Sequence, residues 1–241
     1  MSALRYVYAI CRPFPAALSA ELTGVAGVPP KLLRHGDLIA VVGSVPEREF
    51  AAEPLRRRLE DVRWLEATAR AHQGVIDALT AVTSPLPLRL ATVLRDDSGV
   101  RVMMEEREAE FLRTLDRLDG RVEWGVKVYA KTAGPAGGTR EHTDEFTHRL
   151  HGTLSRCADE SLVRTPPNPA SPHAADTHVF DAAYLVPRAG SEEFVERVNA
   201  SVREEPGVRV VLAGPWAAYS FTGSTGLTGF IGLTDVARKA P

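Results

Sequence analysis

From Val122 to Ala130 the chain alternates strictly. Val122, Trp124, Val126, Val128 and Ala130 stand on one side, and Glu123, Gly125, Lys127 and Tyr129 on the other. A period of two over nine residues predicts a half-buried strand. The succession of elements after this strand constrains the fold most. The loop Lys131 to Thr139, rich in Gly and Pro, leads to a helix pattern with Phe146, Leu150, Leu154 and Cys157 on one face. A short strand at Leu162 to Thr165 comes next, then the proline-rich loop Pro166 to Pro172 and a strand at Val179 to Val186. Ser191 reads as the cap of a helix with Glu192 and Glu193 in its first turn and Phe194, Val195, Val198 and Val202 facing inward. Pro206-Gly207 ends it, and Val208, Val210 and Leu212 alternate in a last strand closing at Gly214-Pro215. Strand, helix, strand, strand, helix, strand is the split βαβ order of a ferredoxin-like domain.

The first half is less regular. RYVYAIC, from Arg5 to Cys11, is rich in β-branched and aromatic residues and predicts an opening strand, with a second at Leu38 to Ser44 fed by a turn at His35-Gly36-Asp37. From Asp61 onward Val62, Leu65, Ala69, His72, Ile76 and Leu79 recur at steps of three and four, the stripe of a long helix that Ser84-Pro85-Leu86-Pro87 stops. Leu88 to Val93 reads as a short strand. Past the turn at Asp96-Asp97-Ser98-Gly99, Met104, Phe111, Leu115 and Leu118 share a second helical face, and Gly120 stands where a C-terminal cap belongs. The expected architecture is α+β in two domains: residues 1–119 an N-terminal α+β domain, 120–214 a ferredoxin-like (βαββαβ) domain, and 215–241 a Gly-rich tail that a partner surface would order.

Composition excludes several function classes. A formal net charge of -2 over 241 residues and a pI near 6.4 provide no field for nonspecific binding of nucleic acid. No stretch approaches the roughly 18 apolar residues of a membrane span, and no secretion signal opens the chain, so a soluble cytoplasmic protein is expected. The two cysteines, Cys11 and Cys157, match no CxxC or zinc spacing and read as free thiols.

Six stretches carry a resemblance: YVYAI at Tyr6–Ile10 with DLIAVV at Asp37–Val42, WLEATARAH at Trp64–His72 with PLPLRLATV at Pro85–Val93, LDGRVEWGVKV at Leu118–Val128, and GPWAAYSF at Gly214–Phe221. In this order they resemble the GvpF/GvpL family of gas vesicle proteins along nearly the whole chain. The family tends to carry Phe-Gly where this chain has Leu90-Ala91, and Pro-Pro where it has Ala217-Ala218. The resemblance implies a two-domain α+β fold with a ferredoxin-like C-terminal part. It also implies an accessory or minor component of the gas-filled shell that contacts the small hydrophobic shell protein GvpA and other accessory proteins, with neither catalysis nor cofactor.

Candidate site residues divide by chemistry. The partner-binding set is Arg89, Tyr219, Leu227, Phe230, Ile231 and Leu233: a cation beside a proline-stiffened strand, and aromatic and apolar residues after the last strand. Arg89 serves equally as a surface contact or as the solvating end of a strand. The rival reading is a metal-dependent or thiol enzyme using His142, His148, His151 or Cys157. His148 and His151, three apart on a helix with Asp144 and Glu145 nearby, lack the further ligands that a site needs, and a solvated helix face explains them. His72, on an apolar stripe, reads as a core histidine. Gly223, Gly226 and Gly229 lack the Lys-Ser or Lys-Thr of a phosphate loop. A ligand-sensing module is the third reading, since ferredoxin-like folds host many functions.

Overall fold

The computed structural model describes residues 3–15, 18–131, 140–166, 176–203 and 207–223, and these form two compact units of mixed helix and sheet. Of the described residues, the first unit takes those up to Asp119 together with Ala217–Gly223, and the second those from Gly120 to Trp216.

In the first unit, strands β1 (Ala3–Cys11), β2 (Lys31–His35), β3 (Leu38–Pro46) and β4 (Leu86–Pro87) form an antiparallel sheet in the order β2-β3-β1-β4. A further strand, β5 (Val93–Leu94), also pairs with β1. Gly36, at φ +54°, turns β2 into β3 with His35 opposite Leu38, so the turn expected there closes a hairpin whose first strand the sequence reading did not assign. Between Val7 and Ala9 the β1–β3 register shifts, leaving Tyr8 as an extra residue. This bulge places Tyr6 and Tyr8 in the same core as Ala9 and Cys11, which strict alternation would divide between two faces.

Two short helices absent from the sequence reading, α1 (Glu47–Phe50) and α2 (Ala52–Arg58), lead to α3 (Val62–Thr80). Asp61 caps α3 by accepting from the N–H groups of Arg63 and Trp64, at 3.0 and 3.2 Å. The helix packs on β1 and buries Ala69, His72, Ile76 and Leu79 of the expected stripe, with Val75 beside them; Leu65 is half-buried, and Val62, also expected on the stripe, is 64% exposed at the first turn of the helix. Leu88 to Val93 is not one strand. β4 and β5 are separate pieces joined by a turn at 89–92, because Thr92 N–H and its hydroxyl both bond Arg89 C=O, at 3.1 and 2.8 Å. The next helical pattern is also two helices, α4 (Asp97–Glu106) and α5 (Glu108–Leu118), broken at Arg107. α4 lies against β1, β2 and β3, and α5 against β4. Gly120 adopts the left-handed φ of +66° that the helix end requires.

The second unit runs β6 (Arg121–Lys131), α6 (Arg140–Ser155), β7 (Glu160–Arg164), β8 (Asp176–Pro187), α7 (Ser191–Arg203) and β9 (Val208–Trp216). Its antiparallel sheet has the order β7-β8-β6-β9. Val122, Trp124, Val126 and Val128 pack with Ala182, Tyr184 and Val186 against Phe146, Leu150 and Leu154 of α6 and Phe194 and Val198 of α7. Cys157 lies beyond the end of α6 and packs at the edge of this core. The hydroxyl of Ser191 accepts from Trp124 Nε1 at 3.3 Å.

The expected tail divides. Residues 217–223 return to the first unit, where Ala217, Ala218 and Phe221 are buried and Tyr219 packs against the core of β1 and α3. The Arg117 guanidinium donates to Phe221 C=O. These apolar residues meet the core of a different unit from the one they succeed in sequence, which their lack of periodicity concealed. Leu227, Phe230, Ile231 and Leu233 lie outside the described residues.

Candidate interaction site

Where β1 meets α3, the side chains form a closed aromatic cluster. Tyr6 and Tyr8 stand 4.9 Å apart between ring centroids, and His72 lies 5.7 Å from the first and 5.6 Å from the second. Ala91 N–H donates to Tyr6 Oη at 3.0 Å, and the same hydroxyl is hydrogen-bonded to His72 Nδ1, also at 3.0 Å. Burial alone lowers the His72 pKa to about 3, so the ring is neutral. Burial likewise raises the Tyr6 phenol far above its ordinary value and the Tyr8 phenol to about 12. Tyr8 Oη accepts from Val25 N–H at 2.8 Å, and a Cβ on Gly24 or Gly43 would stand 2.2 or 2.8 Å from it. Both glycines are therefore required for a tyrosine to reach this far. The cluster is structural, as the stripe position of His72 predicts.

Its outer product is the turn at 89–92. Tyr6, bonded to Ala91 N–H, holds the loop that carries Arg89, and Thr92 closes it. Ala91 sits at φ +63°, at the third position of that turn, where a type II turn calls for glycine. Arg89 is half-buried with its backbone carbonyl fully used. Tyr219 is half-buried too, its ring 6.5 Å from His72, and belongs to the packed root of the segment that carries the remaining expected contacts.

Of the groups considered for catalysis, His151 and Cys157 make hydrogen bonds within their own unit. His151 Nδ1 pairs with Tyr184 Oη at 2.9 Å, and burial, then the neighbouring His148, lowers its pKa. The Cys157 thiol donates to Thr153 C=O at 3.7 Å, and Glu145 pairs with Arg149 at 3.0 Å. His148 and His142 are exposed. Among the described residues no three His, Cys, Asp or Glu side chains gather around a metal position.

The sequence reading missed one constellation in the second unit. Glu123, expected on the water side of β6, is wholly buried and accepts from Arg164 at 3.1 Å. Asp181 stands in register with Lys127 on one side and Arg164 on the other. It lies 3.5 Å from Arg164 and 3.9 Å from both Lys127 and His178. The alternation of β6 placed Glu123 and Lys127 on one face, but only the strand order brings Arg164 and Asp181 beside them.

The family description "Gas vesicle synthesis protein GvpL/GvpF" matches residues 4–137 and 136–223. The chain belongs to the gas vesicle GvpL/GvpF family. It is 49% identical to gas vesicle protein L of Streptomyces sp. (strain CB03234), with 91% of this chain and 93% of that protein aligned. Gas vesicle protein F of the same organism is 34% identical over 51% of this chain and 47% of that one. The GvpF crystal structures from Anabaena sp. PCC7120 and Microcystis aeruginosa each superpose with a TM-score of 0.70 at 17% identity, covering 92% and 91% of this chain and 96% and 98% of theirs. At that identity they speak for the fold alone. The two places where the sequence departs from the pattern of the resemblance are a turn with Ala91 at a left-handed φ and the buried pair Ala217-Ala218.

Proposed function

We propose that this chain is a non-catalytic accessory or minor structural protein of gas vesicle assembly that binds the small hydrophobic shell protein GvpA, and other gas vesicle proteins, in the cytoplasm. The observation that carries this reading is the family match along residues 4–137 and 136–223, joined by the relative named gas vesicle protein L. Exposed apolar surface on a shell subunit must be covered before the shell closes, and a soluble chaperone-like surface does so. The internal engagement of His72, His151 and Cys157 supports a binding role over chemistry. Among the described residues no helix is long and apolar enough to cross a membrane.

In this reading residues 1–119 and 120–214 are two domains. The strand order β7-β8-β6-β9, with α6 and α7 as the crossings, supports assigning the second to the ferredoxin-like split βαβ class. The fold itself selects no function. The contact set is Arg89 with Leu227, Phe230, Ile231 and Leu233, and Tyr219 anchors the root of the segment bearing the last four. A chain ending at Gly223 should keep the described structure and capture GvpA about tenfold less well in a pull-down. Equal capture would move the contact to the turn at Arg89, and failure of the full chain to capture GvpA would remove that protein as partner.

A further inference from the structure

Strand β2 ends one side of the first sheet, with β3 as its only neighbour among the described residues. The Gly36-Asp37 turn sets His35 opposite Leu38, and the pair that closes a two-residue hairpin exchanges both its hydrogen bonds. Lys31, Leu33 and His35 therefore direct their backbone groups to β3, and the N–H and C=O of Leu32 and Arg34 point to the open edge. The side chains along this edge are two cations and an apolar group: Lys31 and Arg34 are exposed, and Leu32 is 41% exposed. Arg34 Nε bonds Gly36 C=O at 3.4 Å, and among the described residues neither Lys31 nor Arg34 has a carboxylate within ion-pairing distance. The Glu108 carboxylate lies against the turn at Gly36 and pairs with neither. Basic side chains on an edge strand repel a second copy: turned antiparallel about Leu33, β2 would set Lys31 against His35 and Leu32 against Arg34. The same cations favour an acidic strand over a basic one.

We propose that β2 takes an extended acidic segment of a partner protein as a further antiparallel strand of the five-stranded sheet. The register specifies which segment fits. Residues of the added strand opposite Arg34, Leu33, Leu32 and Lys31 follow one another in its own direction, so the pattern is an acid, any residue, an apolar residue and an acid. Each acid forms a cross-strand ion pair, the apolar side chain covers Leu32, and the backbone groups of Leu32 and Arg34 supply the hydrogen bonds that hold the strand in place. None of the residues in the shell-protein contact set takes part, so the pairing does not rest on that reading.

Nuclear magnetic resonance of the full chain with a soluble peptide, Glu-Thr-Val-Glu between flanking threonines, supplies the test. The peptide should protect the amides of Leu32 and Arg34 from exchange, while those of Lys31, Leu33 and His35, already bonded to β3, change little. The same peptide with lysine in place of glutamate should bind about tenfold less well, and Glu-Val-Thr-Glu, which sets threonine against Leu32, about threefold less well. In a full chain carrying Lys31→Glu and Arg34→Glu the preference should reverse to the lysine peptide, an outcome that loss of fold cannot produce. No protection of Leu32 and Arg34 at millimolar peptide, equal binding of the acidic and basic peptides, or an unchanged preference in the charge-reversed chain would overturn the proposal. So would protection of these two amides that rises with protein concentration in the absence of peptide, which would put a second copy at the edge, or peptide-induced protection confined to β7.

Discussion

At the scale of single residues, His72 and Ala91 carry opposite kinds of cost around one hydroxyl. His72 is neutral in the fold, its pKa lowered by burial from 6.5 to about 3. Between those values the unfolded chain binds a proton that the folded chain refuses. Stability contributed by the neutral ring is therefore complete above about pH 6.5 and is lost as pH falls toward 3, by up to about 1.4 kcal/mol per pH unit. His72→Gln, which does not titrate, should be less stable at neutral pH yet show a shallower decline in acid, measured by urea unfolding across that window. Identical slopes for the two proteins would show that another group controls the acid limb. Ala91 holds a left-handed φ of +63°, which costs an L-residue about 1–2 kcal/mol, while glycine there loses about 0.5–1 kcal/mol in chain entropy. Ala91→Gly should thus stabilise the protein by about 0.5–1 kcal/mol, a rise of a few degrees in melting temperature. No rise would mean that the turn relaxes on its own.

At the scale of elements, what the sequence reveals depends on whether one periodicity governs. β6 and α3 each follow one over most of their length, and it places Val122, Trp124, Val126 and Val128 in one core and Ala69, His72, Ile76 and Leu79 on one buried stripe. β1 hides its face assignment behind the bulge at Tyr8, and β4 and β5 are two residues each, below any period. β2, with Lys31, Arg34 and His35, has the composition of a solvated loop and is a strand because β3 pairs with it. The burial of Glu123 was invisible for a related reason. Its partner Arg164 lies 41 positions away, and nothing local distinguishes a paired buried carboxylate from a wet one. The Tyr6–His72–Ala91 chain was partly legible, since His72 sat on the stripe, but its link to the turn depends on the sheet register. The start of α3 is encoded directly in Asp61, which accepts from two otherwise orphan N–H groups. Asp61→Ala should cost about 1 kcal/mol in a urea titration with the midpoint lowered and the slope unchanged; a change below about 0.3 kcal/mol would mean that the packing of α3 alone fixes its first turn.

At the scale of the whole molecule, the chain builds the first unit, leaves it at Asp119, builds the second, and returns at Ala217. The first unit is therefore discontinuous in sequence, and the return segment is part of its core: Ala217 and Ala218 are each 3% exposed and Phe221 is 5%. Loss of one buried phenylalanine alone costs about 3–5 kcal/mol, a large part of the stability of an ordinary domain. This separates two truncations that remove neighbouring residues. A chain ending at Gly223 retains the return segment and should melt at the temperature of the full chain. A chain ending at Trp216 leaves Tyr6, Tyr8 and His72 without the residues that pack beside them and should lose near-ultraviolet dichroism from the tyrosine cluster, while residues 120–216 as a fragment should keep their own fold. Should the chain ending at Trp216 melt with the full chain, residues 217–223 contribute nothing to the first unit, and any loss of partner capture on deeper truncation could then be assigned to contact rather than to unfolding.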